Sequence, residues 1–399
     1  MNDRFRERLA GLFGFVAISA VAVFIIISPY SRFASKSFLF IIFGAWLVYA
    51  ITKHGRKCFP HLFPATPGGK PLFFALVVVC FLTLVFSLDP FHSQKILMNR
   101  FFLYVLTFLA GIGIARESRV NRKVIVISFI AASIVLASGS IFDYVRFHHP
   151  PRLWTSFGRT IPFQMLPLFV AILFPYTFAI AVVIRHRFYR TLAITATILM
   201  LPVILWPGTR TTWVSVSAAL LFISFFRGKR FFSAVLIILA CVGVIGFSFI
   251  GIRAKLLTLP YPDKWSLRVP LYNSALAIFR DHPILGAGPG MFEVLIKDPK
   301  YSLPSDYAGA KNMLHAHNMY FELLAEMGIL GLLVFLAIFS VCFREFVKRS
   351  RFEDEFAEGI AVAGSGVAFG MLFFMVADSV ILVGLNEAVL FWFMLGAAL

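Results

Sequence analysis

His315-Ala316-His317-Asn318-Met319-Tyr320-Phe321-Glu322-Leu323-Leu324-Ala325-Glu326-Met327-Gly328-Ile329-Leu330-Gly331 closes a long polar insert and opens an apolar helix. Two imidazoles and two carboxylates stand where water gives way to lipid, a place where ionisable groups are costly unless they pair or do work. The stretch sets two expectations: a chain built of membrane-spanning helices, and a reactive site where one of them begins.

Composition carries the first expectation. Of 399 residues, 60% are hydrophobic and 14% charged, with a mean hydropathy of +0.87, far from the balance of a soluble domain. The 48 Phe and apolar runs of about 17–25 residues fit bundled spanning helices rather than a barrel, whose strands alternate with period two. Arg4, Arg6 and Arg8 precede the first run; with no small-residue cleavage site near Ile27-Ser28-Pro29, it reads as an uncleaved span rather than a signal peptide. The later runs are 37–52, 71–88, 96–115, 124–142, 161–184, 191–205, 212–226, 231–252, 317–343, 359–378 and 381–398. The expected fold is an all-α integral membrane protein of about twelve transmembrane helices. Its parts are nine spans with short loops (1–252), a large polar loop (253–316) and three further spans (317–399).

A formal charge of +18 with pI ≈ 10.1 is no sign of nucleic acid here. The Lys and Arg fall in clusters such as Arg116/Arg119/Arg122/Lys123 and Arg344/Lys348/Arg349/Arg351 on every second connection, where the positive-inside rule puts them. That pattern makes both termini cytoplasmic. The run Glu353-Asp354-Glu355 lies on the same side and reads as a solvated loop. Cys58, Cys80, Cys241 and Cys342 show no CxxC spacing, so neither a disulfide framework nor a zinc site is indicated.

On the outer side, topology does not require positive residues, yet Arg146, Arg152, Arg159, Arg210, Arg253, Lys255, Lys264, Arg268 and Arg280 lie there. They fit an anionic ligand such as a lipid phosphate, or ordinary contact with headgroups. Thr209-Arg210 stands where a chain re-enters the membrane as a helix; Thr209 fits the N-cap, and a guanidinium beside free N–H groups makes an anion site unless it snorkels to the headgroups. Arg268 opens a stretch with Leu271, Ala275, Ile278 and Phe279 on one side, which reads as an amphipathic helix lying on or near the membrane. A cation at a helix start opposes the dipole, so an anion nearby would explain it; an exposed interfacial arginine is the plainer reading. Gly286-Ala287-Gly288-Pro289-Gly290 reads as a tight turn rather than a phosphate cradle, because Pro289 fits a cradle poorly.

His317 begins the tenth expected span, with Phe321, Leu324, Gly328 and Gly331 following on one side and the small Gly328 and Gly331 open to a neighbouring helix. A neutral imidazole on a rigid support can accept a proton from a hydroxyl as it attacks. His317 is equally readable as a helix cap, and His315 as the working residue, with Glu322 and Glu326 orienting His317 or each other, or simply satisfying buried polar groups. No DxD-like pair offers a site for Mg²⁺ or Mn²⁺, so metal independence is expected and no cofactor is called for.

His317-Asn318, nine residues, then Gly328-Ile329-Leu330-Gly331 after a long outer loop resembles the bacterial O-antigen ligase and polymerase superfamily. The loop stretch Arg268 to Phe292, with Asp281-His282-Pro283, Gly286, Gly288 and Gly290, also looks like this family, and Thr209-Arg210 stands where it usually shows Ser-Arg. Size and a single dominant outer loop are most similar to the lipopolysaccharide O-antigen ligases. The resemblance implies a metal-independent, inverting glycosyltransferase at the periplasmic face of the bacterial inner membrane. It would move polysaccharide from undecaprenyl diphosphate to the outer core sugar of lipid A–core, with Arg210 and Arg268 on the diphosphate and His317 essential. Thr209, His315, Asn318, Arg146, Arg152 and Arg159 join the expected substrate contacts. An O-antigen polymerase, a protein O-oligosaccharyltransferase and, from another class, a lipid-linked sugar flippase or transporter are the competing readings. Against transport, the spans are nearly free of charge and carry no evident repeat.

Overall fold

The computed structural model describes residues 3–30, 32–55, 69–147, 166–205, 209–248, 268–302, 315–348, 354–379 and 385–399. These are mostly helical, with no strand among them. In chain order the helices are α1 (Asp3–Ile27), α2 (Arg32–His54), α3 (Gly69–Val85), α4 (Pro90–Ile96), α5 (Phe102–Glu117), α6 (Arg119–Phe147), α7 (Leu166–Val183) and α8 (Arg187–Leu205). They continue with α9 (Arg210–Arg227), α10 (Lys229–Ser248), α11 (Arg268–Asp281), α12 (Phe292–Leu295), α13 (Met319–Lys348), α14 (Glu355–Phe374) and α15 (Leu385–Ala397). Nine helical stretches among the described residues are long and apolar enough to cross a membrane, and α3 and α15 hold shorter apolar stretches, Pro71–Val85 and Ala388–Ala397. The chain is an all-α integral membrane protein.

α7 is apolar all round and is the buried centre of the bundle, packed by α6, α8, α9 and α14. Tyr176 on it stacks on Phe129 of α6 with ring centroids 4.2 Å apart. Lipid is as apolar as such a core, so close packing rather than transfer from water holds these helices together. α14 meets that requirement with small residues: a Cβ at Gly370 would stand 2.5 Å from the Ser215 carbonyl of α9, and one at Gly366 would stand 2.4 Å from Ile223. α9 and α14 therefore run antiparallel in close register.

One end of the bundle is tied by ion pairs. Asp354 accepts the Phe356 N–H at 3.3 Å as the cap of α14 and pairs with Arg122 at 2.6 Å and Arg119 at 3.3 Å. Glu355 takes the Arg185 N–H at 2.7 Å, and Arg227 meets Glu358 at 3.8 Å. The acidic run expected as a solvated loop is thus, for Asp354 and Glu355, the cap and first residue of α14 with fixed partners, because the basic cluster on the neighbouring connection reaches it. Arg116 likewise holds the Leu399 carbonyl at 3.0 Å.

The other end carries the starts of α9 and α13, the end of α14 and the layer formed by α11 and α12. α11 does not present its apolar side to lipid: Leu271, Ala275 and Ile278 are buried in a small second core with Ala287, Met291, Phe292, Ile296, Tyr301, Ala316 and Ala325. The amphipathic face expected on the membrane is spent instead on α13 and the loop that follows α11.

Candidate active site

α13 starts two residues later than the sequence suggests, at Met319 rather than His317. Asn318 is the cap: its Oδ1 accepts the N–H groups of Tyr320 at 3.0 Å and Phe321 at 3.1 Å, which a helix start leaves without partners. Its Nδ2 donates to the Val376 carbonyl at 2.8 Å. The Met319 N–H reaches the Met375 carbonyl at 2.9 Å, and Tyr320 OH reaches that of Leu372 at 2.7 Å. These bonds weld the start of α13 to the end of α14. Asn318 is buried and serves as this joint.

His317 precedes the helix and does not lie on its register. Its φ of 51° is the one positive value at a non-glycine among the described residues, a left-handed backbone that costs about 1–3 kcal/mol and persists only where neighbours enforce it. Tyr272 of α11 contributes, its OH directed to the carbonyls of His317 at 3.4 Å and Val376 at 3.5 Å. So placed, the His317 imidazole turns Nδ1 toward Asp378 Oδ1, 3.8 Å away just beyond α14, both side chains part exposed. Asp378 Oδ1 also accepts the Ser379 N–H at 2.8 Å, which fixes the carboxylate.

Arg268 begins α11 one turn before Tyr272. Burial pushes the Tyr272 phenol up from its ordinary pKa; the positive charge of Arg268 and a hydrogen bond with Asn318 pull it down, and Asp378 adds to the rise. Arg268, Asn318 and Asp378 thus act on one phenol that also touches His317. Arg210 reaches the same end by another route. Gly370 lies against Ser215, so the antiparallel register puts the first turn of α9 beside the end of α14 and the turn that leads to Asp378. Thr209 is the N-cap residue by backbone, φ −84° and ψ 114°, but its hydroxyl bonds to that of Thr212 at 2.8 Å and not to a helix N–H.

The expectation for Gly328 needs correction. α13 is broken at Gly328, φ 63° and ψ −165°, a region open essentially to glycine. What approaches is a loop rather than a helix: a Cβ at Gly328 would stand 2.3 Å from the Ile284 carbonyl, and one at Gly286 2.3 Å from Glu326. The break frees backbone groups that lipid cannot satisfy, and the loop satisfies them. Ala287 and Gly288 N–H groups donate to the carbonyls of Ala325 and Glu326, both at 2.9 Å, while Ile329 and Leu330 N–H groups donate to those of Pro283 at 3.0 Å and Ile284 at 3.3 Å.

Neither glutamate bonds to the His317 ring. Glu322 binds His315 Nδ1 and the Ala316 N–H, each at 3.0 Å. Glu326 accepts the Phe292 N–H at 3.2 Å, so a side chain of α13 closes the end of the glycine turn.

Arg210, Arg268 and His317 therefore lie at the same end of the bundle. Arg146 lies exposed over the Phe142 ring at the end of α6, a helix packed chiefly on α1 and α8. Arg152 and Arg159, like Arg253, Lys255 and Lys264, lie outside the described residues. Sequence reading missed Asp378 and Tyr272. A lone carboxylate at the end of an apolar run was a usable signal for Asp378; nothing local marked Tyr272.

No curated protein matches this chain. Residues 195–336, which carry Arg210, Arg268, His317 and the loop bound to the broken α13, match the family model O-antigen ligase, and this match supports a place for the chain in the O-antigen ligase and polymerase superfamily, whose members are membrane glycosyltransferase-like enzymes.

Proposed function

We propose that this protein is an O-antigen ligase of the inner membrane, moving polysaccharide from undecaprenyl diphosphate to the outer core sugar of lipid A–core on the periplasmic side. The carrying observation is His317: an imidazole on an enforced left-handed backbone, faced by Asp378 and flanked by the helix that Arg268 begins. Both termini are then cytoplasmic, since the paired basic clusters lie at the end away from His317.

In this reading the acceptor hydroxyl gives its proton to His317 as its oxygen attacks the anomeric carbon on the face opposite the diphosphate. The new C–O bond forms, the bond from that carbon to the phosphate oxygen breaks, and the electron pair leaves with the diphosphate, inverting the centre. Arg210 and Arg268 neutralise the leaving charge, which is most of what a good leaving group asks of an enzyme. Asp378 orients His317 and stabilises the imidazolium. The apolar groove between α3, α5, α13 and α15, lined by Phe73, Phe101, Tyr104, Leu323, Met327 and Trp392, gives the donor's lipid chain a place. No step calls for a metal.

The test mixes purified protein, undecaprenyl diphosphate-linked polymer and lipid A–core without added metal. Polymer joined to core is expected, with His317→Ala, Arg210→Ala and Arg268→Ala each abolishing it while remaining in the membrane at normal amounts. A deletion strain should show bare lipid A–core; core bearing one repeat would make the enzyme a polymerase, and EDTA inhibition reversed by Mg²⁺ would overturn metal independence.

A further inference from the structure

Glu322 is 2% exposed on α13, and a carboxylate buried there needs partners. Both its oxygens are committed to two consecutive residues outside the helix, His315 through Nδ1 and Ala316 through its N–H. Ala316 is itself fully buried, in the core beneath α11. The next residue is His317, in its left-handed backbone.

The two imidazoles diverge. Tyr320 marks the side of α13 that faces α14 and Asp378, through its bond to Leu372. Glu322 comes two residues later, about 200° further round a helix that turns about 100° per residue. His315 is held on that far side, and His317 on the side of Asp378.

We propose that Glu322 and His315 form a clamp that positions His317, and that His315 is not the proton acceptor. The clamp fixes the residue before His317 by its amide and the one before that by its ring, so the chain enters the strained residue from a set direction. This rests on the reading of His317 as the base.

Two measurements separate the clamp from the reaction. In the ligation assay above, His315→Ala should lower kcat on the order of tenfold to a hundredfold, the cost of a misplaced catalytic group, with KM little changed. His315→Gln, which can still donate to Glu322, should recover most of the loss and keep the wild-type pH dependence. If Gln is as poor as Ala, or flattens that pH dependence, His315 is the proton acceptor; full activity in His315→Ala removes the clamp. Amide hydrogen exchange across residues 315–318 needs no substrate: His315→Ala and Glu322→Ala should speed exchange at Ala316 several-fold, and unchanged exchange overturns the clamp whatever the wild-type enzyme proves to catalyse.

Discussion

Asp378 Oδ1 stands 3.8 Å from His317 Nδ1, longer than a hydrogen bond and within ion-pair reach. Such contacts often tighten only once substrate is bound. Asp378→Asn keeps the shape and removes the charge that would stabilise an imidazolium. Transfer should fall, by less than the roughly 10²–10⁴-fold that loss of the base itself costs, with the protein at normal abundance. Rates of the two variants side by side check this; an unimpaired Asp378→Asn would detach the carboxylate from the chemistry.

Gly328→Ala should be poorly tolerated. Its backbone region costs a non-glycine residue of order 1–3 kcal/mol, and the new Cβ would press on the Ile284 carbonyl at 2.3 Å. Thermal unfolding in detergent should show a marked loss, or the protein should fail to accumulate. Wild-type stability would mean that the loop after α11 is not seated on the break.

Glu326→Ala strips the Phe292 N–H of its acceptor. Leaving a buried donor unpaired costs about 1–3 kcal/mol, whereas Glu326→Gln retains an acceptor and should cost less. The order of the two melting temperatures is the measurement, and equal values would rule out the proposed bond.

The segment from α11 to α12 should loosen in acid. Asp281 bonds Lys300 at 2.8 Å and Tyr301 OH at 2.5 Å, and these bonds, Lys300 first, hold its carboxyl below the usual carboxylate range. A depressed value means that the contribution is full above the unfolded pKa of about 3.9 and is lost as pH falls through the lower folded one. Hydrogen exchange over 292–302 should rise below about pH 4, and Asp281→Asn should show the faster exchange already at pH 7.

Much of the fold was legible because lipid imposes a coarse rule: long apolar runs must be helices, and basic clusters mark their ends. Thr209 at a helix start and Arg268 opening α11 follow from local chemistry and stand as read. The start of α13 and the break at Gly328 were misread, because the register of an apolar helix continues through both places and only a cap bond or a docked loop reveals an interruption. The apolar side of α11 was legible as a pattern, while what covers it was not.

The sequence by itself determined a multi-pass helical membrane protein with its basic clusters gathered on alternate connections, since those properties are summed over neighbours along the chain. Only the tertiary structure decided that His317 faces Asp378 while His315 turns to Glu322, and that the Tyr272 hydroxyl reaches the His317 carbonyl within the field of Arg268 and Asp378. Two histidines two positions apart end on different partners, and the left-handed backbone of His317 is met by a helix distant in sequence through Tyr272.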